Sequence, residues 1–420
     1  MDKDTLANKL NAPTVFENPE YLSDGYIPER LIYREEEMEK IADEIIFQLK
    51  DGIGSHLLVS GPPGTGKTHS LKKLSIEINE QIENNKNVNG TIYFIPVKEK
   101  SLYDVFTSLN RKFSDYPRSG ISLSRTIEDL AENLAASDQR YVMIFDEVDK
   151  MKDTKYTAGE SLSDLVYWTT RFGELVKGRI EVLIILVTNN PSVKDKIKAY
   201  SRSTFHPEFL FYPQYNAEQL NDIIRDRAEK AFRENIVDDG AIGWLSAHIA
   251  SGFGDLRYGF QALKIAGKSV EGDPNGDKKI TVPILREALE DVENKEITQT
   301  VRGLNDVEKL VLGSIILSSS NISKGVDSET LYNNYVQLCA KIGMKERSWA
   351  YVRKYIMPNL ETQGLLTSST RGRGRGKGQM LIFYPRGVEN LREVVENVML
   401  ETYNLHVKKS ENVQGKIINF

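Results

Sequence analysis

The residues with the clearest chemical signature are eight near the N-terminus, Gly61-Pro62-Pro63-Gly64-Thr65-Gly66-Lys67-Thr68. Glycines at this spacing let successive backbone N–H groups turn inward around a chain of phosphates. The lysine can reach the outer phosphates, and the threonine hydroxyl can ligate the magnesium ion that they carry. A turn rich in glycine and proline that binds no ligand is the structural alternative. The spacing predicts a loop that binds a nucleoside triphosphate with Mg²⁺.

A second group of polar residues follows two apolar runs further along the chain. Asp146 and Glu147 come directly after YVMIF, and Asn189 comes directly after VLIILVT. We expect Asp146 to hold Mg²⁺ through its water shell and Glu147 to orient and deprotonate an attacking water. Asn189 could hydrogen-bond the terminal phosphate or that water, although Asn-Asn-Pro is also a turn signal. Two carboxylates that only cap the next helix are the alternative interpretation.

Two arginines could serve the same chemistry. Arg257 lies near the start of a predicted helix, where a cation could fold over the triphosphate. Arg202 follows the strand that ends before Asn189, and it could stabilise charge on a nucleotide bound by a neighbouring subunit. Either residue could equally be a solvated surface charge.

The segments around these residues alternate between strand and helix. Short apolar runs at 56–60, 91–96, 141–145 and 182–188 predict strands, and segments with helical spacing lie between them. Nearly continuous apolar strands are typical of a parallel sheet that is covered on both faces, and such sheets bind ligands at the carboxyl ends of their strands. We therefore predict an α/β parallel sheet with the glycine loop at that edge.

From residue 216 the pattern changes to helices alone, and the end of the chain has a third pattern. Helices are predicted at 217–232, 239–250, 255–270 and 282–296, and the remainder predicts helices followed by two strands around a glycine-rich loop. Helix, strand, loop and strand is the order of a winged helix. The predicted parts are an N-terminal arm (1–34), an α/β base (35–215), a helical lid domain (216–296), a polar linker (297–305), a winged-helix domain (306–402) and a C-terminal tail (403–420).

Basic charge is concentrated in the predicted winged helix. Residues 345–377 carry eight Lys and Arg against two Glu, in a chain whose net charge is −5. An apolar stripe through Trp349, Val352 and Ile356 leaves the opposite side of the helix free for DNA, and Pro358 is expected to break or bend this helix. Residues expected to contact duplex DNA are Arg347, Tyr351 and Lys354 on the helix and Arg371, Arg373, Arg375 and Lys377 on the wing. A disordered solubilising segment is the alternative interpretation of the Arg/Gly run.

The motifs together resemble those of AAA+ ATPases. The matching segments are Gly61–Thr68 for Walker A, Ile144–Glu147 for Walker B, the strand before Asn189 for sensor 1 and Gly254–Arg257 for sensor 2. The segments at 26–30, 34–37 and 211–220 look like signatures of archaeal origin-recognition initiators of the Orc/Cdc type. The family usually has an arginine-valine pair before the lid, where this chain has Tyr200–Phe205. The resemblance therefore does not identify a trans-acting arginine.

The resemblance implies a fold with an AAA+ base, a helical lid and a C-terminal winged helix, and a slow, switch-like ATPase that binds ATP, ADP and Mg²⁺. It implies nucleotide contacts from Tyr26, Ile27, Pro28, Arg34, Pro63, Gly64, Thr65, Gly66, Lys67, Thr68, His69, Asp146 and Arg257. It also implies a role in DNA replication, with double-stranded origin DNA, the replicative helicase and paralogous initiator subunits as partners. The segment 161–170 would correspond to a helical insertion that touches DNA, although its apolar residues could equally belong to the core.

Two other functions remain open from the sequence. One is a regulatory or signalling ATPase whose winged helix docks protein, and the other is a plasmid- or virus-borne protein of the same architecture. The longest aliphatic run, Val182–Val187, is too short to span a bilayer, and no secretory pattern opens the chain. The single cysteine, Cys339, cannot form an internal disulfide and is expected to pack as a small hydrophobe. We expect a cytoplasmic, chromosome-associated protein with no membrane partner.

Overall fold

The computed structural model describes residues 14–85, 88–117, 119–137, 139–154, 160–176, 180–252, 255–271, 279–318, 325–372, 379–385 and 391–405. The chain divides into two compact units, Met1–Leu285 and Arg286–Phe420. Each unit buries a hydrophobic core of its own. Among the described residues, no helix has both the length and the apolar character that a membrane span requires.

A five-stranded parallel sheet forms the centre of the first unit, in the order β2-β3-β4-β1-β5. Its strands are β1 Leu57–Ser60, β2 Gly90–Pro96, β3 Arg140–Asp146, β4 Val182–Thr188 and β5 Glu208–Phe211. The strands β3 and β4 are buried along nearly their whole length, as their continuous apolar sequences predict. Because β4 lies between β1 and β3, the residues that follow these three strands meet at one edge of the sheet.

Helices cover both faces of this sheet. They are α1 Glu35–Asp51, α2 Lys67–Glu83, α3 Leu102–Asn110, α4 Leu123–Ala136, α5 Ser161–Thr169, α6 Phe172–Leu175, α7 Val193–Lys196 and α8 Ala199–Arg202. The helices α1 and α2 pack in one core cluster with β1, and α3, α4 and α5 pack in the other. In α5, Leu162, Leu165 and Val166 are all buried in this second cluster. The core interpretation of these three side chains is therefore confirmed.

The lid follows the base within the same unit. Its helices are α9 Ala217–Ala231, α10 Asp239–Ser251, α11 Leu256–Val270 and the beginning of α12 Val282–Gly303. Part of the predicted arm, residues 14–34, packs against the lid: the Phe16 and Phe232 rings are stacked with centroids 4.9 Å apart, and Glu17 N donates to Ala231 O at 2.9 Å. Residues 1–13 of that arm lie outside the described part of the chain.

The segment 297–305, predicted as a polar linker, is mostly helical because α12 continues to Gly303. Its apolar residues explain the difference. Val301 and Leu304 are buried in the core of the second unit, and Ile297 packs against the same core. A spacing of three and four residues places these side chains on one helix face, so burial outweighs the polar composition of the segment.

The second unit has the topology of a winged helix. Its remaining helices are α13 Asp306–Ser318, α14 Ser328–Lys341, α15, which consists of the consecutive segments Trp349–Tyr351, Val352–Ile356 and Met357–Thr362, and α16 Leu391–Tyr403. A small antiparallel sheet in the order β6-β8-β7 contains β6 Val326–Asp327, β7 Leu366–Gly372 and β8 Gln379–Pro385. The strands β7 and β8 form the predicted hairpin, and Cys339 packs in the core of this unit as expected.

The helix α15 does not end at Pro358, where the sequence predicts a break or bend. Its middle segment, Val352–Ile356, is a wider π turn, closed by a bond from Met357 N to Val352 O. Proline has no N–H to donate to the carbonyl four residues earlier, and its ring would clash with that carbonyl in a regular α-helix. A wider turn relieves both problems, so the helix accommodates the proline.

Candidate nucleotide site and nucleic-acid interface

The phosphate loop, residues 61–68, runs from the carboxyl end of β1 into α2. Gly64 and Gly66 have φ angles of +73° and +90°, in the left-handed region that favours glycine. A Cβ at Gly64 would lie 2.4 Å from Asp255 Oδ1, so the loop also has no room for a side chain there. Thr65 is fully buried and its hydroxyl donates to Pro62 O at 2.9 Å, while Pro63 is exposed. The loop is a backbone cradle in front of a helix N-terminus, which fits a phosphate chain.

Lys67 lies inside this loop. Its side-chain Nζ donates to Gly61 O and to Pro62 O, both at 2.7 Å, and the residue is 5% exposed. Burial lowers the pKa of Lys67 to about 8, and the nearby carboxylates of Asp146 and Asp149 act in the opposite direction. The amine is thus a buried donor held by carbonyls of the same loop.

Thr68 and Asp146 form the second part of the site. The Thr68 hydroxyl donates to Asp146 Oδ2 at 2.9 Å, across the gap between α2 and the end of β3. Burial raises the pKa of Asp146, and the bond from Thr68 opposes that effect. Two adjacent oxygen groups suit Mg²⁺, which binds few protein ligands and keeps phosphate and water oxygens. The described residues contain no group of three or more His, Cys, Asp or Glu placed to hold a metal ion.

Glu147 follows Asp146 in an unusual backbone conformation. Its φ of +59° is in the left-handed region, which non-glycine residues seldom adopt. Its backbone N–H donates to Asp146 Oδ1 at 3.1 Å, and its carboxylate accepts from Lys150 Nζ at 2.6 Å. A short 3₁₀ turn, Val148–Lys150, follows directly. The turn therefore changes the direction of the chain at the residue predicted to activate water.

Asn189 directly follows β4, as predicted. It contacts Asp149, a residue for which the sequence analysis predicts no role. Asp149 Oδ1 accepts from Asn189 N at 3.1 Å and from the Thr188 hydroxyl at 2.8 Å. The predicted sensor residue is thus tied to the 3₁₀ turn that follows β3. The acidic fourth residue of Asp-Glu-Val-Asp is the only trace of this contact in the sequence.

Arg34 is brought to the phosphate loop, but as a clamp within the protein. It is 2% exposed, and its guanidinium donates to Thr65 O at 2.8 Å and to Pro213 O at 2.6 Å. It also pairs with Glu37 at 3.2 Å and lies 4.0 Å from the ring centroid of Tyr215. These contacts join the arm, the phosphate loop and the segment that leads into the lid.

Tyr26, on the arm, contacts the lid, and His69, on α2, contacts the arm. The guanidinium of Arg227, on α9, is 4.4 Å from the Tyr26 ring centroid. Pro28 is buried, Ile27 is half-buried, and His69 Nε2 lies 3.1 Å from Asp24 O. Burial lowers the pKa of His69. Sequence reasoning did not identify Arg227, which is 7% exposed. The sequence indicates its inward position only through the helical spacing that it shares with the buried residues Leu220, Ile224 and Ala231.

The two arginines proposed for charge stabilisation differ in their surroundings. Arg257 Nε donates to Asp255 Oδ1 at 2.9 Å, and this bond raises the pKa of Arg257. Asp255 caps α11 and is the residue against which Gly64 packs, so Arg257 lies beside the phosphate loop. Arg202 is exposed, and its guanidinium donates to Ile197 O at 2.7 Å and to Lys194 O at 3.1 Å, at the end of α7.

In the second unit, Arg347, two residues before α15, and Tyr351 and Lys354, on α15, are exposed to solvent. Val352, Ile356 and Leu360 are buried, which confirms the apolar stripe. On the outer side, the rings of Tyr351 and Tyr355 have centroids 5.1 Å apart. A cation lies near each ring. The Arg347 guanidinium is 5.5 Å from the Tyr351 centroid, and Lys354 Nζ is 5.2 Å from the Tyr355 centroid.

The wing is described only at its base. Arg371 lies in β7, whose pairing with β8 runs from Leu366 and Pro385 to Gly372 and Gln379. Arg373, Arg375 and Lys377 lie outside the described residues. The two paired strands β7 and β8 therefore flank the segment that contains these three cations.

Three family models match the chain in order. They describe an AAA domain over residues 53–194, a Cdc6 AAA+ ATPase-type lid domain over 221–290 and a CDC6 C-terminal winged helix domain over 299–383. The three matches follow the base, the lid and the winged helix of the structure.

Curated relatives match over nearly their whole length. The chain is 28% identical over 416 residues to an ORC1-type DNA replication protein 1 of Archaeoglobus fulgidus, covering 98% of this chain and 97% of that protein. It is also 28% identical over 400 residues to an ORC1-type DNA replication protein 1 of Methanosarcina acetivorans, covering 94% and 93%.

Solved structures agree in fold. The Aeropyrum pernix ORC1 protein in complex with DNA superimposes with a TM-score of 0.72 at 24% identity, covering 92% of this chain and 97% of that one. The Aeropyrum pernix ORC2 protein superimposes with a TM-score of 0.64 at 19% identity, covering 93% and 100%. At these identities the likeness shows a shared fold. The three domain models, which match the base, the lid and the winged helix, and the archaeal relatives show that the chain belongs to the archaeal Orc1/Cdc6 family of AAA+ replication initiators.

Proposed function

We propose that this protein is an ATP-dependent initiator that binds double-stranded origin DNA and helps to recruit or load the replicative helicase. The winged helix and the AAA+ domain would engage DNA, and slow ATP hydrolysis would act as a switch. The observation that carries the DNA-binding part is the outer face of α15. Between Arg347 and Tyr355 it combines cations and aromatic rings and contains no acidic residue.

In the proposed reaction the phosphate loop and Lys67 bind the phosphates of ATP. Thr68 and Asp146 hold Mg²⁺, which when bound offsets negative charge on the phosphates. Glu147 orients a water and takes its proton as the water oxygen bonds to the terminal phosphorus and the bond to ADP breaks. Asn189 hydrogen-bonds that water or the terminal phosphate. The spacing of these groups at one edge of the sheet supports this assignment.

The arginines would connect hydrolysis to the rest of the assembly. A phosphate chain in the loop competes with Asp255 for the guanidinium of Arg257, so nucleotide binding would alter the contacts of the lid. Arg202 is exposed, as a residue that acts on the nucleotide of a paralogous subunit must be. To do so it would exchange its bonds to the carbonyls of α7 for the neighbouring phosphate.

On DNA, α15 would enter the major groove with Arg347, Tyr351 and Lys354 towards the duplex. The wing cations Arg371, Arg373, Arg375 and Lys377 would contact the minor groove or flanking phosphates. The Aeropyrum pernix ORC1 protein, which shares this fold, was solved in complex with DNA, and this supports the proposal.

A binding experiment tests the DNA-binding proposal directly. The full chain is titrated with origin and random duplexes at several salt concentrations, with and without ATP. Arg347→Ala with Lys354→Ala should lower duplex affinity about tenfold or more and reduce the salt slope by about two units, because two phosphate contacts are lost. The control is Arg302→Ala, whose charge is already paired with Glu401 at 2.8 Å. Equal affinities of the wild type and the double variant would instead favour the protein-docking alternative.

A second experiment tests the nucleotide site. Lys67→Ala should abolish ATP binding, since it removes the buried cation of the loop, and it should leave duplex binding without nucleotide intact. Lys73→Ala is the matched control, because Lys73 lies on the same helix and pairs with Glu77 at 2.6 Å. Glu147→Gln should bind ATP but retain it unhydrolysed; unchanged turnover would remove Glu147 from the water-activating role.

A further inference from the structure

One carboxylate connects the two groups assigned to water activation. Asp149 Oδ1 accepts from the Thr188 hydroxyl at 2.8 Å and from Asn189 N at 3.1 Å, so it holds the end of β4. Asp149 also lies within the 3₁₀ turn that Lys150 N closes by donating to Glu147 O at 3.0 Å. Asp149 is therefore hydrogen-bonded to the end of β4, next to Asn189, and belongs to the turn that directly follows Glu147.

We infer that Asp149 is a positioning residue for ATP hydrolysis, which keeps Glu147 and Asn189 at a fixed separation. The inference rests on the proposed ATPase activity. It does not require Asp149 to touch nucleotide or water.

The strand pairing shows why such a contact is needed. Between β3 and β4 the ladder runs only from Tyr141 and Val182 to Phe145 and Leu186. The residues assigned to chemistry come after its end, where main-chain bonds between these two strands no longer set the register. The bonds of Asp149 replace the ladder at that point, and Thr188, which supplies one of them, is 1% exposed.

The backbone of Glu147 gives a second reason. A non-glycine residue at φ +59° persists only where its surroundings hold it, since the left-handed region is sterically unfavourable for a residue with a Cβ. The turn that follows Glu147 is anchored to β4 through Asp149. Loss of that anchor would let Glu147 return to an ordinary conformation and move its carboxylate.

The first test separates positioning from binding. Asp149→Ala should lower kcat for ATP hydrolysis about tenfold or more, with KM within about twofold, because only the geometry of the reacting groups is lost. Asp149→Asn should recover most of the activity, since an amide oxygen can accept the same two bonds. Asp153→Ala is the control, because Asp153 is an acid of the same segment that accepts from Ser161 N at 3.1 Å.

The second test asks whether Asp149 acts through Asn189. In an Asn189→Ala background, Asp149→Ala should lower kcat by a smaller factor than in the wild type, because the part of the effect that acts through Asn189 is already lost and only the part that acts through Glu147 remains. An equal fold loss in both backgrounds would overturn the inference, as would a loss confined to KM. If Asp149→Ala does not fold, Thr188→Val removes one of the two bonds from the other side and should lower kcat with KM within about twofold, by less than the loss of both bonds would. A wild type without ATPase activity would refute the proposed function itself, whereas an active wild type with an unimpaired Asp149→Ala variant would refute only this inference.

Discussion

A single buried arginine, Arg34, joins three segments around the phosphate loop. Its planar guanidinium donates in one direction to Thr65 O and in another to Pro213 O. A lysine carries the same charge but cannot donate in this forked geometry, so these two charges are not equivalent here.

We predict that Arg34→Lys lowers both stability and nucleotide affinity. Leaving a buried carbonyl without its donor costs about 1–3 kcal/mol, and one of the carbonyls belongs to the loop that would bind phosphate. Thermal unfolding and titration with a fluorescent ATP analogue measure the two effects. Arg30→Lys is the control, since Arg30 is 77% exposed and pairs with Glu35 on the surface. Matching nucleotide affinities in the two variants would contradict the clamp.

A second residue-scale prediction concerns pH. His56 Nδ1 accepts from Ile184 N at 3.1 Å, and burial, helped by the charge of His206, lowers the pKa of His56 from 6.5 to about 4. The unfolded chain therefore binds this proton more tightly than the folded one. Its contribution to stability is complete above pH 6.5 and is lost as the pH falls from 6.5 through 4.

Between pH 7 and pH 5 we expect this group to remove roughly 1–2 kcal/mol of unfolding free energy. Urea unfolding of the full chain across this range measures the loss, and His56→Gln should flatten the profile. The control variant His248→Gln, at an exposed lid position, should keep the wild-type slope. A wild-type slope in His56→Gln would show that another group is responsible.

The residues of the site differ in how well sequence alone identifies them. Lys67 and Thr68 lie at the start of the helix that the glycine loop predicts, and Asp146 and Glu147 lie at the end of a strand, because short-range spacing defines these positions. Their chemical roles remain proposals. Arg34, Arg227 and Asp149 act through contacts that are distant along the chain, such as the bond from Arg34 to Pro213, 179 residues away, and no local pattern encodes such pairs.

At the scale of elements, burial decides which predictions succeed. The strand β4 was predicted over 182–188 because it is apolar throughout, and it occupies Val182–Thr188. The strand β5 was missed since it is a short edge strand with Phe209 64% exposed, and its sequence carries no core signal. The helix α12 was predicted too short because most of its last two turns are polar.

The corrected end of α12 can be tested by substitution. Val301→Ala should destabilise the second unit by about 1–2 kcal/mol, because the side chain is 1% exposed within that core. Gln299→Ala, at an exposed position of the same helix, should change stability by less than about 0.5 kcal/mol. Chemical unfolding of both variants measures the difference. A flexible linker would make the two substitutions equally harmless.

At the scale of the whole molecule, the base and the lid share one unit, Met1–Leu285, and the winged helix belongs to the other. The sequence predicted three domains from changes of pattern. The arm and Arg34, which contact both the base and the lid segment, are features that pattern changes do not reveal. Two separate cores imply two cooperative transitions, since a domain with its own core can unfold on its own.

We therefore predict that calorimetry of the full chain resolves two transitions and that ATP with Mg²⁺ raises only the one that belongs to the first unit. A ligand that binds only the folded state stabilises it by about 2.7 kcal/mol at a hundredfold excess over Kd. Lys67→Ala should abolish the rise in Tm that ATP causes in the first unit. Val301→Ala should lower only the Tm of the second unit, which shows which transition belongs to which unit. A duplex bound through α15 should raise the transition that Val301→Ala lowers. If nucleotide raised both transitions by the same amount, the two units would unfold as one, and the separate cores would not be independent in solution.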